Sequence, residues 1–142
     1  MPGYSGTPLA KKLGIKDDFR VALLHVPDDV KSEIREALTK CRIRPFSRQT
    51  SKNKDLDFIF FFAKSRAGLE LQLLPAAKAL APAGMLWISW PKKSSGVATD
   101  LTDNVVRQSG LDAGLVDIKV CAVTEVWSGL KFVIPVKDRP KR

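Results

Sequence analysis

Two cysteines and one histidine are all that the 142-residue chain holds of those types. Cys41 and Cys121 stand far apart, and neither has a second cysteine or a histidine close by. That excludes a disulfide framework and a zinc-ligand spacing. With His25 as the sole histidine, a two-histidine metal site is excluded as well, and no metal is expected. Long apolar runs are missing too: the longest, Phe58 to Ala63, is far too short to cross a bilayer. No charged segment followed by an apolar one opens the chain, so no secretory signal is read. Two thiols suit a reducing compartment, and a cytoplasmic location is expected. None of the nine glycines stands in a Gly-x-Gly arrangement, so no glycine-rich phosphate turn is written in the chain.

What is present is the composition of an ordinary globular domain. Apolar residues make up 44% and charged ones 27%, enough to build a core without cross-links. One α/β domain over residues 19–136 is expected, preceded by an N-terminal arm (1–18) and followed by a basic tail (137–142). The net charge of +9 is concentrated: Arg42, Arg44, Arg48, Lys52 and Lys54 crowd residues 41–54, which carry no acid. Such a segment attracts polyanions, nucleic acid among them. The plainer reading is a solvated loop and a frayed terminus, and Phe46 is the only aromatic there for a base to stack on.

Apolar patterning predicts the elements. Leu9, Leu13 and Ile15 suggest a short helical turn closed by Gly14 and resting on the domain. Phe19 to Val26 reads as a buried strand. Asp28 or Asp29 offers an N-cap for a helix whose stripe is Val30, Ile34, Leu38 and Cys41. Arg42 to Phe46 reads as a short strand, and residues 47–55 as a loop. Leu56 to Ala63 is the strongest strand signal, apolar on both faces as a central parallel strand requires. Ser65 is placed to cap a helix facing inward with Leu69, Leu73, Ala76, Ala77 and Leu80. Pro75 predicts a kink or a break there, with Pro82 and Gly84 turning the chain. Met85 to Trp90 is another buried strand. Thr99 or Asp100 is expected to cap a helix running to about Ala113, with Gly114 at its C-terminal cap position. Leu115 to Val123 and Leu130 to Val136 read as two strands joined by a hairpin over Thr124 to Gly129. The fold class expected is α/β: a mainly parallel, Rossmann-like sheet ending in an antiparallel hairpin, with helices on both faces.

The second half resembles the C-terminal half of class I S-adenosylmethionine (SAM) methyltransferases, which also end in strand, helix, strand, helix and an antiparallel hairpin. Leu80-Ala81-Pro82-Ala83-Gly84-Met85-Leu86 resembles their Leu-x-Pro-Gly-Gly-x-Leu turn, and Leu13-Gly14-Ile15-Lys16 their approach to the first strand. The resemblance implies a methyltransferase-like fold and makes SAM a possible cofactor. The motif that would hold it is absent. The first strand ends Leu24-His25-Val26-Pro27-Asp28-Asp29, with no glycine for the backbone to approach the cofactor, and basic residues stand where an acid would bind the ribose. No cofactor is therefore expected in the usual mode. Nearly the whole chain also resembles a small bacterial family of uncharacterised proteins. That likeness rests on Tyr4-Ser5-Gly6-Thr7-Pro8-Leu9-Ala10, on Trp90 to Leu101 (WPKKSSGVATDL), on Val116 to Val123 and on Trp127 to Phe132.

The candidate site by sequence is the segment after the fourth strand, at the edge where open α/β sheets bind ligands. Lys92 and Lys93 supply positive charge, Ser94, Ser95 and Thr99 supply hydroxyls, Gly96 permits close approach, and Asp100 leads into a helix N-terminus suited to an anion. An ordinary capped loop with solvated lysines explains the same residues. Trp127 is a possible stacking platform and, more plainly, a packing residue. His25 reads as structural for want of an acid partner. Arg42 and Arg44 beside Cys41 favour its thiolate, though the helical stripe already explains its position by packing. Cys121 reads as an inert core thiol. No catalytic set is identified and whether the protein is an enzyme stays open. The favoured function is a non-catalytic binding or regulatory protein for a small anion or a protein partner. The alternatives are a transferase with an atypical SAM pose and a nucleic-acid-binding module using residues 42–54 and the tail.

Overall fold

The computed structural model describes residues 8–47 and 50–139 of the chain. Its centre is the run of aromatics in strand β3 (Leu56–Phe62). Successive side chains of a strand point to opposite faces. Phe58, Phe60 and Phe62 therefore enter one hydrophobic cluster, and Ile59, Phe61 and Ala63 enter another on the far side. Parallel neighbours flank β3: β1 (Arg20–Leu24) on one side and β4 (Leu80–Pro91) on the other. The short β2 (Arg42–Ile43) pairs in parallel with β1 at the edge. Beyond β4 come β6 (Trp127–Val133) and then β5 (Val116–Ala122), both antiparallel, giving the order β2-β1-β3-β4-β6-β5. The expected α/β class, the parallel body and the antiparallel end are all present.

Helices cover both faces. Helix α1 (Leu9–Leu13) and helix α2 (Asp28–Leu38) bury Leu9, Leu13, Val30 and Ile34 against the Phe58/Phe60/Phe62 side. The helical turn expected at the end of the arm thus docks on the domain and enters its core, where it is pinned by a buried hydrogen bond from the Trp87 indole N–H to the Leu13 carbonyl (2.8 Å); residues 1–7 of the arm lie outside the described residues. Gly14 ends α1 in the left-handed conformation (φ 84°). Helix α3 (Arg66–Ala79) and helix α4 (Asp103–Asp112) cover the other face with Leu69, Leu73, Ala76 and Val106. Among the described residues no helix is long and apolar enough to cross a membrane.

Several boundaries differ from the sequence reading, each for a local reason. Asp28 and Asp29 lie in the first turn of α2, and Pro27 occupies its N-cap without a side-chain bond. Pro suits a helix start because its missing N–H would have no partner there. Helix α3 passes through Pro75 as one element. Leu71, whose carbonyl Pro75 leaves without its usual donor, is 61% exposed, so water is at hand. Leu80 is the first residue of β4, paired with Leu56, and the Phe58–Met85 pairing that follows leaves residues 81–84 as an irregularity in the ladder. Helix α4 is capped by Thr102, which accepts from the Val105 N–H. Thr99 and Asp100 are committed elsewhere. Trp127 to Gly129 belong to β6 rather than to the turn, because Trp127 is buried to 7% exposure and its backbone completes the β4 ladder opposite Pro91. Ser65 caps α3 as expected, accepting from the Gly68 N–H at 3.0 Å.

Candidate functional site: a cleft at the ends of β1 and β3

The chain leaves β1 toward β2 at one edge and returns to β3 on the other side of β1. That reversal opens a crevice beyond the carboxyl ends of β1 and β3, the position where open α/β sheets take ligands. A cavity of about 580 Å³ lies there. Phe61, Phe62 and Ala63 from the end of β3 and Trp127 from β6 make its apolar floor. The Phe62 and Trp127 rings meet edge to face, centroids 4.8 Å apart, a favourable aromatic contact across the floor. Gly68, Leu71 and Gln72 of α3 form one wall, and Pro27 stands at the start of α2. Among the described residues the polar groups are His25, Lys64 and Gln72, and no carboxylate lines the cavity.

His25 closes β1 in the left-handed backbone region (φ 58°), which glycine enters freely and histidine only at some cost. This turns its exposed side chain over the strand ends. His25 and Gln72 also line a second hollow of about 450 Å³, completed by Leu23, Leu24, Phe46 and Ser47. The imidazole therefore stands between two compartments, one over β1 and β3 and one toward the end of β2.

The sequence-predicted loop buttresses this cleft. Thr99 donates its hydroxyl to the Lys64 carbonyl (2.6 Å) and accepts the Leu101 N–H. Asp100 accepts the Arg66 N–H (2.8 Å) at the start of α3. Ser95 bonds the Lys92 carbonyl within a short 3-10 turn and takes the Val97 N–H, while Gly96 has φ 78°. Lys92 donates its N–H to Val126, next to Trp127. Lys93 and Ser94 are exposed on that turn. Thr99, Asp100 and Trp127 thus converge on the cleft rim or floor, with Lys92 beside them. Because Asp100 and Ser65 occupy the Arg66 and Gly68 N–H groups, little of the α3 N-terminus is left for an anion.

Arg42, Arg44, Lys52 and Lys54 are exposed around β2 and the following 3-10 turn, and Arg48 lies outside the described residues. The Cys41 thiol is pushed up, first by burial and then by Asp17, and donates to the Ala37 and Lys16 carbonyls. Cys41 packs against the core, the reading that the helical stripe favoured over activation by Arg42 and Arg44. Burial also raises the Cys121 thiol, outweighing Lys12, Lys119 and Lys92 nearby. Sequence reasoning set His25 aside and missed Lys64, Gln72 and Phe62. The one available signal was a histidine at the carboxyl end of the first strand.

The model of a family described as "Protein of unknown function (DUF3052)" matches residues 10–136. No curated protein matches the sequence. Solved structures share the fold. A SAM-dependent methyltransferase from Aquifex aeolicus is 14% identical with a TM-score of 0.65, covering 89% of this chain and 88% of that one. The magnesium protoporphyrin IX methyltransferase of Synechocystis PCC 6803 with bound SAM is 11% identical (TM-score 0.61), covering 89% and 74%. A TehB-like SAM-dependent methyltransferase from Corynebacterium glutamicum is 11% identical (TM-score 0.53), covering 94% and 90%.

SAM is the group this fold suggests, and the residues present do not fit it in the usual pose. The turn after β1 carries the His25 side chain in both hollows where a glycine-rich backbone would approach the cofactor. Pro27 has no N–H to offer, and Asp28 and Asp29 occupy the first turn of α2. After β2 the chain reads Arg44-Pro45-Phe46-Ser47, without a carboxylate for a ribose.

Proposed function

We propose, from the premise that the chain belongs to the DUF3052 family, that this protein is a non-catalytic binding protein whose cleft takes a small apolar acid. The ligand's body lies against Trp127, Phe62 and Leu71, and its carboxylate is met by Lys64 and His25. The observation that carries this reading is the composition of the cleft among the described residues: an aromatic floor, two nitrogen groups at the rim, and no acid. Most ligand pockets are apolar with a few placed polar groups, and this volume lies within their usual range. A non-catalytic role is supported by the same set. Among the described residues of the cleft no carboxylate stands by His25 to orient it as a base, and both cysteines carry raised thiols. Lys92 and Lys93 add positive charge on the Trp127 flank, extending the anion preference to the loop. A cytosolic setting belongs to this reading and is supported by two free cysteines.

Thermal shift of the full chain with phenylacetate and hexanoate, each beside its neutral amide, tests it. The acids are expected to raise the melting temperature saturably, by roughly 2.7 kcal/mol of stabilisation at a hundredfold excess over Kd, and the amides are not. His25→Gly is expected to weaken acid binding at least about tenfold. The unliganded variant is expected to be as stable as the parent or up to about 1 kcal/mol more stable, because relief of the left-handed backbone offsets glycine's entropy. Equal shifts with acids and amides, or unchanged affinity in His25→Gly, would overturn the reading.

A further inference from the structure

A second electropositive surface, separate from the cleft, lies on the α1 side of the β5–β6 hairpin. Strand β5 contains a bulge: Asp117 pairs with Phe132 and Lys119 with Lys131, so two steps on β5 match one on β6 and Ile118 is the extra residue. The bulge changes which face each side chain takes. Asp117 goes to the α4 side, where it pairs with Arg107 (3.0 Å), and Lys119 goes to the α1 side, where its ammonium donates to the Lys12 carbonyl (3.2 Å). Lys131 shares that face, since its β4 partner is Trp87, which bonds to α1.

Lys119 and Lys131 are therefore directly opposite each other, an arrangement that destabilises a strand pair. Lys16, just past α1, adds a third charge. Burial, then Lys119, then Lys16 lower the proton affinity of Lys131. The charges acting on the adjacent Cys121 are Lys12, Lys119 and Lys92. Among the described residues, the charges acting on both groups are lysines. Four lysines, Lys12 and Lys16 from the N-terminal segment and Lys119 and Lys131 from the hairpin, are thus gathered on one side of the sheet.

We propose that Lys16, Lys119 and Lys131, flanked by Lys12, bind the phosphate backbone of a nucleic acid. Lysine ammonium groups are point-charge partners for phosphate without base specificity, so the binding is independent of sequence. A membrane surface fits less well. Interfacial binding needs apolar side chains on the same face as the charges. The exposed Val120 of β5 points instead to the α4 side, paired with Leu130 of the opposite core, which leaves Ile118 at the bulge as a single exposed apolar side chain beside Lys119.

The test is fluorescence anisotropy of the full chain with a labelled single-stranded DNA of about 20 nucleotides and mixed sequence, between about 50 and 200 mM salt. Lys119→Gln with Lys131→Gln is expected to weaken binding at least about tenfold at the lower salt. The log–log salt slope is expected to flatten by about 1.4, or about 0.7 for each phosphate no longer neutralised. Arg42→Gln with Arg44→Gln is expected to leave the affinity unchanged. Lys131→Arg, which keeps the charge, is expected to bind as the parent does. The glutamine pair is expected to melt at the same or a higher temperature in low salt, since a repulsion is removed. Parent-like binding by the glutamine pair overturns the proposal, as does loss of binding in Lys131→Arg or only in the arginine pair. Binding of the parent to phosphatidylglycerol vesicles but not to DNA overturns it as well.

Discussion

Gly110→Val is expected to destabilise the fold by about 3 kcal/mol or more. Gly110 is buried on the inner face of α4, and a Cβ built on it would overlap the edge of the Phe132 ring. That ring is fully buried in the core shared by α3, α4 and the sheet, so it has no free volume to move into. Glycine in a helix ordinarily costs about 1 kcal/mol against alanine, and here close approach of α4 to β6 outweighs that loss. Urea unfolding should show a lower midpoint with an unchanged slope, the signature of altered stability in an otherwise similar native state. Pairing Gly110→Ala with Phe132→Leu should recover part of the loss, because the smaller side chain removes the overlap, and the coupling is readable in a double-mutant cycle. Full stability in Gly110→Val would show that α4 does not pack on Phe132.

Trp87→Ala is expected to cost about 3–5 kcal/mol, the range for removing a large buried aromatic side chain. Trp87 is fully buried in the centre of the sheet and is the tie to the N-terminal helix through the Leu13 carbonyl. Removing it empties the space between β4 and α1 and leaves that carbonyl without its donor. Trp87→Phe keeps most of the packing and is expected to cost about 1–3 kcal/mol from the orphaned carbonyl. Both variants should expose α1 to limited proteolysis at protease levels that leave the parent intact, since local unfolding of that segment becomes easier. Equal resistance in all three proteins would mean that α1 is held by Leu9, Leu13 and the Lys12 and Lys119 bonds to and from β5 rather than by Trp87.

Much of the fold is legible because local signals and burial agree. The Phe58-to-Phe62 run has no solvated face to accept it, so a central strand is its only use. Ser65 followed by Gly68, and Gly14 after Leu13, mark helix ends through backbone chemistry that needs no tertiary partner. Sequence alone places the cap of α4 too early, because Thr99 and Asp100 are as good cap residues as Thr102. Only the return of β3 beside them decides that they serve Lys64 and Arg66 instead.

The candidate site is less legible. The loop after β4 lies at the same edge of the sheet as the cavity, yet the cavity opens at the β1–β3 reversal, a feature of strand order that no local pattern carries. His25 alone looks structural; with Lys64, Gln72 and Trp127 it becomes part of a rim and floor built from four separate elements. The lysine cluster is hidden for a different reason. Strict alternation puts Asp117 and Lys119 on one face, and only the bulge at Ile118 parts them.

The most direct measurement is calorimetric titration of the full chain with SAM. A cleft whose β1 turn carries His25 and Pro27, and whose β2 end offers no acid, is expected to give no saturable heat up to about 1 mM. A saturable isotherm with a micromolar Kd would contradict the reading of this cleft as a site for small apolar acids on a methyltransferase-like scaffold, and would return the protein to the cofactor chemistry of its structural neighbours.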